Sequence, residues 1–250
     1  MKNMTTKLSF AAALALTLGT IGAPAAFAEE AAKPDNEVSF NAAVTSEYRY
    51  RGISQSRLKP ALQGGVDYVN NPTGFYAGAW ASTIKWIKDV GGDGNVEVDL
   101  YGGKRGDIGG GFSYDVGGLY YLYASNELHP SANTFELYGQ VGYGPAYLKY
   151  SHSLTNLFGF VDSKNSGYLD LGANFDVAEG LVLNLHVGRQ RVANNGSASY
   201  TDYKIGLTKD VGFASVSLAF IKADTDAYFS PVGNKDLAKS RAVLAISKTF

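Results

Sequence analysis

From Val38 onward the chain alternates between apolar and polar side chains. Val38, Phe40, Ala42, Val44, Tyr48 and Tyr50 share one parity, and Asn41, Thr45, Glu47, Arg49 and Arg51 share the other. A β-strand sends successive side chains to opposite faces, so this segment has one greasy face and one polar face. The split recurs in Leu62, Val66 and Tyr68 against Gln63 and Asp67, and in Val96, Val98 and Leu100 against Glu97 and Asp99. It returns in Phe135, Leu137, Val141 and Tyr143 against Glu136 and Gln140, and in Leu148 and Tyr150 against Lys149 and Ser151. Leu169, Leu171 and Phe175 oppose Asp170 and Asn174; Leu183, Leu185 and Val187 oppose Asn184 and His186; Tyr203, Ile205 and Leu207 oppose Asp202 and Lys204. Val216, Leu218 and Phe220 oppose Ser215 and Ser217. Helical spacing fits none of these segments. With residues 74–88, whose outward parity stays open, 109–123 and 241–250, the predicted strands come to about twelve.

The connections test this pattern independently. Those predicted at residues 52–59, 89–94, 124–133, 155–165, 193–199 and 224–239 are long and polar. Between them lie short ones, at 70–73, 104–107, 144–145, 177–179 and 210–212. Strict alternation puts every long loop at one end of the sheet. Short periplasmic turns, long external loops and strands of about 9–11 residues are the anatomy of a transmembrane barrel. Lipid tolerates no open sheet edge, so the sheet must close. The expected fold is all-β: an antiparallel up-and-down transmembrane β-barrel over residues 38–250.

The N-terminal region reads differently. Lys2 and Lys7 precede an apolar stretch from Leu8 to Ile21, and Ala26, Phe27 and Ala28 form a small-residue cleavage pattern before Glu29. Residues 1–28 therefore read as a secretory signal peptide cleaved after Ala28, and the polar residues 29–37 as a flexible periplasmic leader. Export followed by barrel insertion gives the expected location, a Gram-negative outer membrane.

Composition removes other classes. The chain has no Cys, which excludes a disulfide scaffold, thiol catalysis and Cys-ligated metal sites. Its three His are scattered, and its formal charge of −1 lacks the basic surplus of a nucleic-acid binder. No apolar run is long enough for a transmembrane helix. The expectation is no cofactor, no metal and no nucleic acid.

The last segment ends Ala242, Val243, Leu244, Ala245, Ile246, Ser247, Lys248, Thr249, Phe250. A terminal aromatic preceded by Ala242, Leu244 and Ile246 at alternate positions is similar to the signal by which barrel-assembly machinery recognises outer-membrane strands. Lys248 departs from it, and near a membrane rim its ammonium can snorkel. Tyr48, Tyr50, Tyr68, Tyr143, Tyr150 and Tyr203 fall near predicted strand ends on the apolar parity. There they would form interface girdles, with rings in hydrocarbon and hydroxyls among headgroups.

A set of motifs adds a family resemblance. Residues 46–55 (SEYRYRGISQ), 60–68 (PALQGGVDY), 74–78 (GFYAG), 97–101 (EVDLY) and 135–138 (FELY) are similar to the TorF-type porin family of proteobacteria. The resemblance is strongest over residues 38–140 and looser after Lys164. It implies an outer-membrane barrel and names no solute. The polar positions it carries over are Arg49, Arg51, Gln55, Glu97, Asp99 and Glu136.

Twelve strands lie between barrels filled by their own side chains and wide porins, so a narrow pore is expected. The polar parity supplies candidate lining residues: Glu47, Arg49, Arg51, Asp67, Glu97 and Asp99, then Glu136, Lys149, Asp170, Lys204 and Arg241. The expected function is passive diffusion of small polar or charged solutes, with selectivity set by this mixed-charge lumen. Expected partners are outer-membrane lipid and lipopolysaccharide, the assembly machinery and the solutes. Two alternatives stand beside it. Arg49 and Arg51 can instead staple a closed structural or adhesive barrel, with residues 224–239 as the binding loop. A hydrolase would need a base beside a nucleophile; Ser151 and His152 are strand neighbours on opposite faces, and no catalytic motif is present.

Overall fold

The computed structural model describes residues 34–250. The signal peptide at 1–28 and most of the leader lie outside the described residues. Twelve antiparallel strands form a closed barrel in which each pairs with its sequence neighbours and the first closes on the last. They are β1 (Asn36–Thr45), β2 (Ala61–Asn70), β3 (Phe75–Thr83), β4 (Val96–Gly109), β5 (Phe112–Tyr123) and β6 (Thr134–Tyr143). The second half is β7 (Ala146–Ser153), β8 (Gly167–Ala178), β9 (Leu181–Arg191), β10 (Tyr200–Asp210), β11 (Ser215–Ala223) and β12 (Arg241–Thr249). Closure runs from Asn41 opposite Thr249 to Thr45 opposite Ala245. It extends to paired backbone bonds between Phe40 and Phe250, at 3.1 and 2.8 Å. Every strand edge is thereby satisfied, as a hydrocarbon environment requires.

The alternation sorts inside from outside. Val38, Phe40, Val44, Leu62, Leu100, Leu137, Leu148, Leu169, Leu171, Ile205, Leu218, Leu244 and Ile246 are exposed on the outer face. Their neighbours along each strand turn into the lumen. On β3 the open parity resolves with Tyr76, Trp80 and Ser82 inward. Short and long connections alternate between the two ends, as the sequence predicts.

Several boundaries differ from the sequence expectation. β1 begins at Asn36, inside the expected leader, and the segment read as strand to Lys88 leaves the sheet after Thr83 and forms a helical turn at Trp86–Asp89. The turn expected at 104–107 is strand: β4 continues to Gly109, with Asp107 opposite Ser113. The reversal is made instead by Gly109, Gly110 and Gly111, all at positive φ, a region that glycine enters without steric cost. The first strand stops at Thr45 rather than running through Arg51. Residues 46–60 turn into the barrel, and Arg49–Tyr50 pairs with Ile53–Ser54 as a miniature hairpin. Its two central residues, Arg51 at φ 45° and Gly52 at φ 79°, both have positive φ, the signature of a tight type I′ turn.

Candidate functional site in the lumen

The inserted hairpin fills the lumen at its long-loop end. Tyr48 and Tyr50, expected at the membrane interface, are only 1% and 7% exposed. The correction has a simple cause: period-two alternation marks any extended chain, and here both faces of that chain lie inside the barrel. The Tyr48 hydroxyl donates to Glu97 Oε1 at 2.6 Å, and its ring meets Trp80 edge-on at 5.5 Å. Burial, with the carboxylates of Glu97 and Asp99 beside it, pushes the Tyr48 hydroxyl well above the ordinary tyrosine range, so it stays a donor. Tyr50 Oη lies 2.5 Å from Tyr121 Oη.

Arg51 joins the hairpin to the opposite wall. Its Nη2 donates to Glu136 Oε2 at 2.7 Å and its Nη1 to Glu136 Oε1 at 3.0 Å, a two-pronged pair with both side chains almost fully buried. Nη1 also reaches Gln190 Oε1 at 2.8 Å. The guanidinium lies over the rings of Tyr168 at 4.2 Å and Tyr50 at 4.8 Å, a cation–π geometry. Burial alone pulls the Arg51 guanidinium down; Glu136, with Tyr50 and Tyr121, more than reverses this and holds it well above its ordinary value. Arg49 stays within the loops, donating to Glu47 at 2.7 Å and to the carbonyls of Gly52 and Lys239, each at 2.8 Å. Burial draws its guanidinium down, against the pull of Glu47.

At its tip Gly52 packs against β10 and β11. A Cβ there would stand 2.5 Å from Asp202 Cβ and 3.1 Å from Ala223 Cβ, so only glycine fits. From the long loop after β7, Phe158 caps the hairpin, edge-on to Tyr50 at 5.8 Å and to Tyr121 at 5.1 Å.

The wall carries further polar groups. His186 bridges two aspartates, with Nδ1 2.8 Å from Asp170 Oδ1 and Nε2 2.7 Å from Asp202 Oδ2. Tyr168 donates to Asp202 at 2.8 Å. Toward the short-turn end, Tyr76 donates to Asp115 and Tyr101 to Asp67, both at 2.6 Å. Lys149 Nζ sits 4.0 Å from the Tyr138 ring centroid, and Lys204 is half-buried on the same inner face.

The candidate residues therefore divide into three groups. Asp67, Glu97, Asp99, Glu136, Lys149, Asp170 and Lys204 lie on inward positions of the strand wall. Glu47, Arg49 and Arg51 belong to the inserted segment rather than the wall. Arg241 is exposed at the start of β12, on the long-loop rim. Sequence reasoning passed over Arg105, Asp115 and the structural part of His186. Arg105 fell inside the misplaced turn; the inward parity of β5, once fixed by Tyr121 and Tyr123, points to Asp115.

Tyr68 and Tyr143 face outward near the short-turn end, and Tyr150 and Tyr203 near the long-loop end, each between 42% and 59% exposed. Ala242, Leu244, Ile246 and Phe250 are all exposed and share the outward parity of β12.

Comparison with known proteins agrees with this architecture. Among solved structures, the KdgM porin in complex with disordered oligogalacturonate aligns with a TM-score of 0.56 at 7% identity, over 85% of this chain and 98% of that one. The NanC porin aligns with a TM-score of 0.54 at 10% identity, over 85% and 98%. At these identities the likeness is one of fold: a porin-type closed barrel. No curated protein sequence matches the chain. The sequence profile of a family described as bacterial protein of unknown function (Gcw_chp) matches residues 28–250, and the chain belongs to that family.

Proposed function

We propose that this chain is an outer-membrane channel of the porin type, passing small polar and charged solutes by passive diffusion, and that residues 46–60 close it in the described conformation. One observation carries the reading: the positive charge that neutralises Glu136 comes from Arg51 on an inserted loop, not from the wall. Once that loop withdraws, the wall offers Asp67, Glu97, Asp99, Asp115, Glu136, Asp170 and Asp202 against Arg105, Lys149 and Lys204, with His186 between Asp170 and Asp202. Such a lumen attracts cations and the ammonium ends of zwitterions. The mixed charge read from sequence thus becomes a property of the closed state, and the open state is acidic. An acidic wall does not suit a polycarboxylate such as the oligogalacturonate of the KdgM complex.

The TorF-type resemblance supports the porin reading and adds no solute. Outer-membrane lipid and lipopolysaccharide surround the apolar exterior in this account, and the β12 strand with Phe250 is the handle for the assembly machinery. No catalytic step is proposed. Ser151 is buried in the lumen while His152 lies on the other parity, and His186 has both ring nitrogens engaged by carboxylates. No cofactor enters the mechanism.

A second reading, a non-conducting structural or adhesive barrel, is favoured by the buried Arg51–Glu136 staple and the Phe158 cap. Liposome swelling separates the two. Vesicles carrying the refolded protein should admit a small zwitterion such as glycine faster than a small anion such as gluconate. Swelling no faster than that of protein-free vesicles, from wild type and from Arg51→Ala alike, would favour the structural barrel.

A further inference from the structure

We infer that the outer face of the barrel carries a seat for a phosphate group of lipopolysaccharide, built on Arg189 and Arg191 of β9. The inference rests on the outer-membrane reading, which puts the long-loop end outside the cell, and not on conduction. Along β9 the outward residues Leu181, Leu183, Leu185 and Val187 are followed, at the same parity, by Arg189 and Arg191, both exposed. Arg189 stands between Leu169 and Thr201 of the flanking strands. Arg191 is opposite Gly167, whose other neighbour is His152. Gly167 leaves a notch between them, and the Tyr150 hydroxyl lies over it, in the space a Cβ would fill. Tyr150 Oη is 3.4 Å from His152 Nδ1. Asn165 ties the rim, its Oδ1 3.3 Å from His152 Nε2 and its carbonyl accepting from Arg191 Nη1 at 3.1 Å. Arg189 Nη1 donates to Thr201 Oγ1 at 3.1 Å. These neutral contacts hold both guanidinium groups without discharging them: no ion pair among the described residues includes either one.

An arginine on the lipid-facing side is costly in hydrocarbon and nearly free at the interface, where it meets headgroups. Tyr150 and Tyr203, outward at the same end, mark that level. A guanidinium fork matches phosphate oxygens in pairs, and the tyrosine hydroxyl adds a third donor from the notch. Lys222, opposite Tyr203, extends the positive patch. Asp224, which takes the Thr201 N–H at 2.5 Å, ends it. The patch is one-sided. Across the barrel, the outward residues nearest the long-loop end are Val44, Leu62, Thr83, Val96, Leu122 and Phe135, none of them charged. A general attraction to an anionic surface would spread charge around the rim; a cluster on β7 to β11 fits one bound lipid. The end of the barrel decides which lipid, because the phosphorylated lipid of the external leaflet is lipopolysaccharide.

The test offers the full barrel chain, folded in detergent and checked by heat-modifiable migration, lipid A with its phosphates intact or the same lipid A dephosphorylated. Native mass spectrometry then reads the lipid retained. Wild type should hold the phosphorylated form in preference. The double variant Arg189→Gln with Arg191→Gln should lose roughly tenfold or more of that retention, since each basic residue near a headgroup adds to lipid affinity. Lys104→Gln with Lys209→Gln removes two outward charges at the short-turn end and should leave retention unchanged. No preference for phosphate in folded wild type, or an equal loss in both double variants, would overturn the site. Insertion into phospholipid vesicles, measured separately, keeps the two readings apart. A folded barrel that enters no bilayer fails the outer-membrane reading and takes the site with it; one that inserts but shows no phosphate preference fails the lipid site alone.

Discussion

Arg51 holds a left-handed backbone at φ 45°, a conformation that costs a non-glycine residue energy, and its side chain shows what offsets it. The guanidinium fork grips Glu136, reaches Gln190 and lies between two tyrosine rings. Arg51→Ala leaves Glu136 buried with no counter-charge and only the Tyr121 hydroxyl, 3.2 Å away, as donor, and should cost about 3–5 kcal/mol. Urea unfolding in lipid vesicles, combined with Glu136→Gln and the double variant, reads the coupling directly. Arg51→Lys should recover little, because a lysine cannot reproduce the two-pronged geometry or the stacking. Additive single-variant effects would show that the pair is not the staple described. Gly52 is as constrained as its neighbour. Gly52→Ala meets Asp202 Cβ and a positive φ together, so it should dislodge the hairpin tip and raise the basal swelling rate of vesicles. An unaltered rate in a folded variant would mean that the tip does not obstruct the lumen.

At the scale of elements, the strands were legible because membrane and lumen impose opposite demands on alternate residues. Leu169 and Leu171 against Asp170 make that pattern unambiguous. The register of β3 was not legible: Tyr76 and Trp80 are large aromatic residues that face inward, where the Tyr76 hydroxyl donates to Asp115 and the Trp80 ring packs edge-on against Tyr48. The inserted hairpin was hidden for a related reason, since Tyr48 and Tyr50 alternate with Arg49 and Arg51 just as a wall strand would. The signal that separates them is Gly52 beside Arg51, a two-residue turn placed where an uninterrupted strand has no use for one. The 104–107 turn was misplaced because charged residues outweighed the Gly109, Gly110, Gly111 run that makes the reversal. If the outer face of β8 meets hydrocarbon, Leu171→Arg should destabilise the barrel by about 2–4 kcal/mol, read by unfolding in lipid vesicles. A change below about 0.5 kcal/mol, the range of ordinary surface substitutions, would place that face in water.

For the whole molecule, closure between β1 and β12 leaves the chain end as part of the wall. Phe250 exchanges backbone bonds with Phe40 and presents its ring outward. Phe250→Ala should therefore slow assembly, seen as a larger unfolded band in timed heat-modifiability gels, while mature barrels keep their melting behaviour. The central claim is that residues 46–60 close a conducting barrel with an acidic wall. Single-channel recording in a planar bilayer under a salt gradient tests it most directly, comparing wild type with a variant in which residues 48–54 are replaced by a short Gly-Ser link. The account predicts small or intermittent steps for wild type, and larger, steady, cation-selective steps for the shortened loop. A shortened variant that inserts and migrates as a folded barrel, yet never conducts or selects anions, would contradict it.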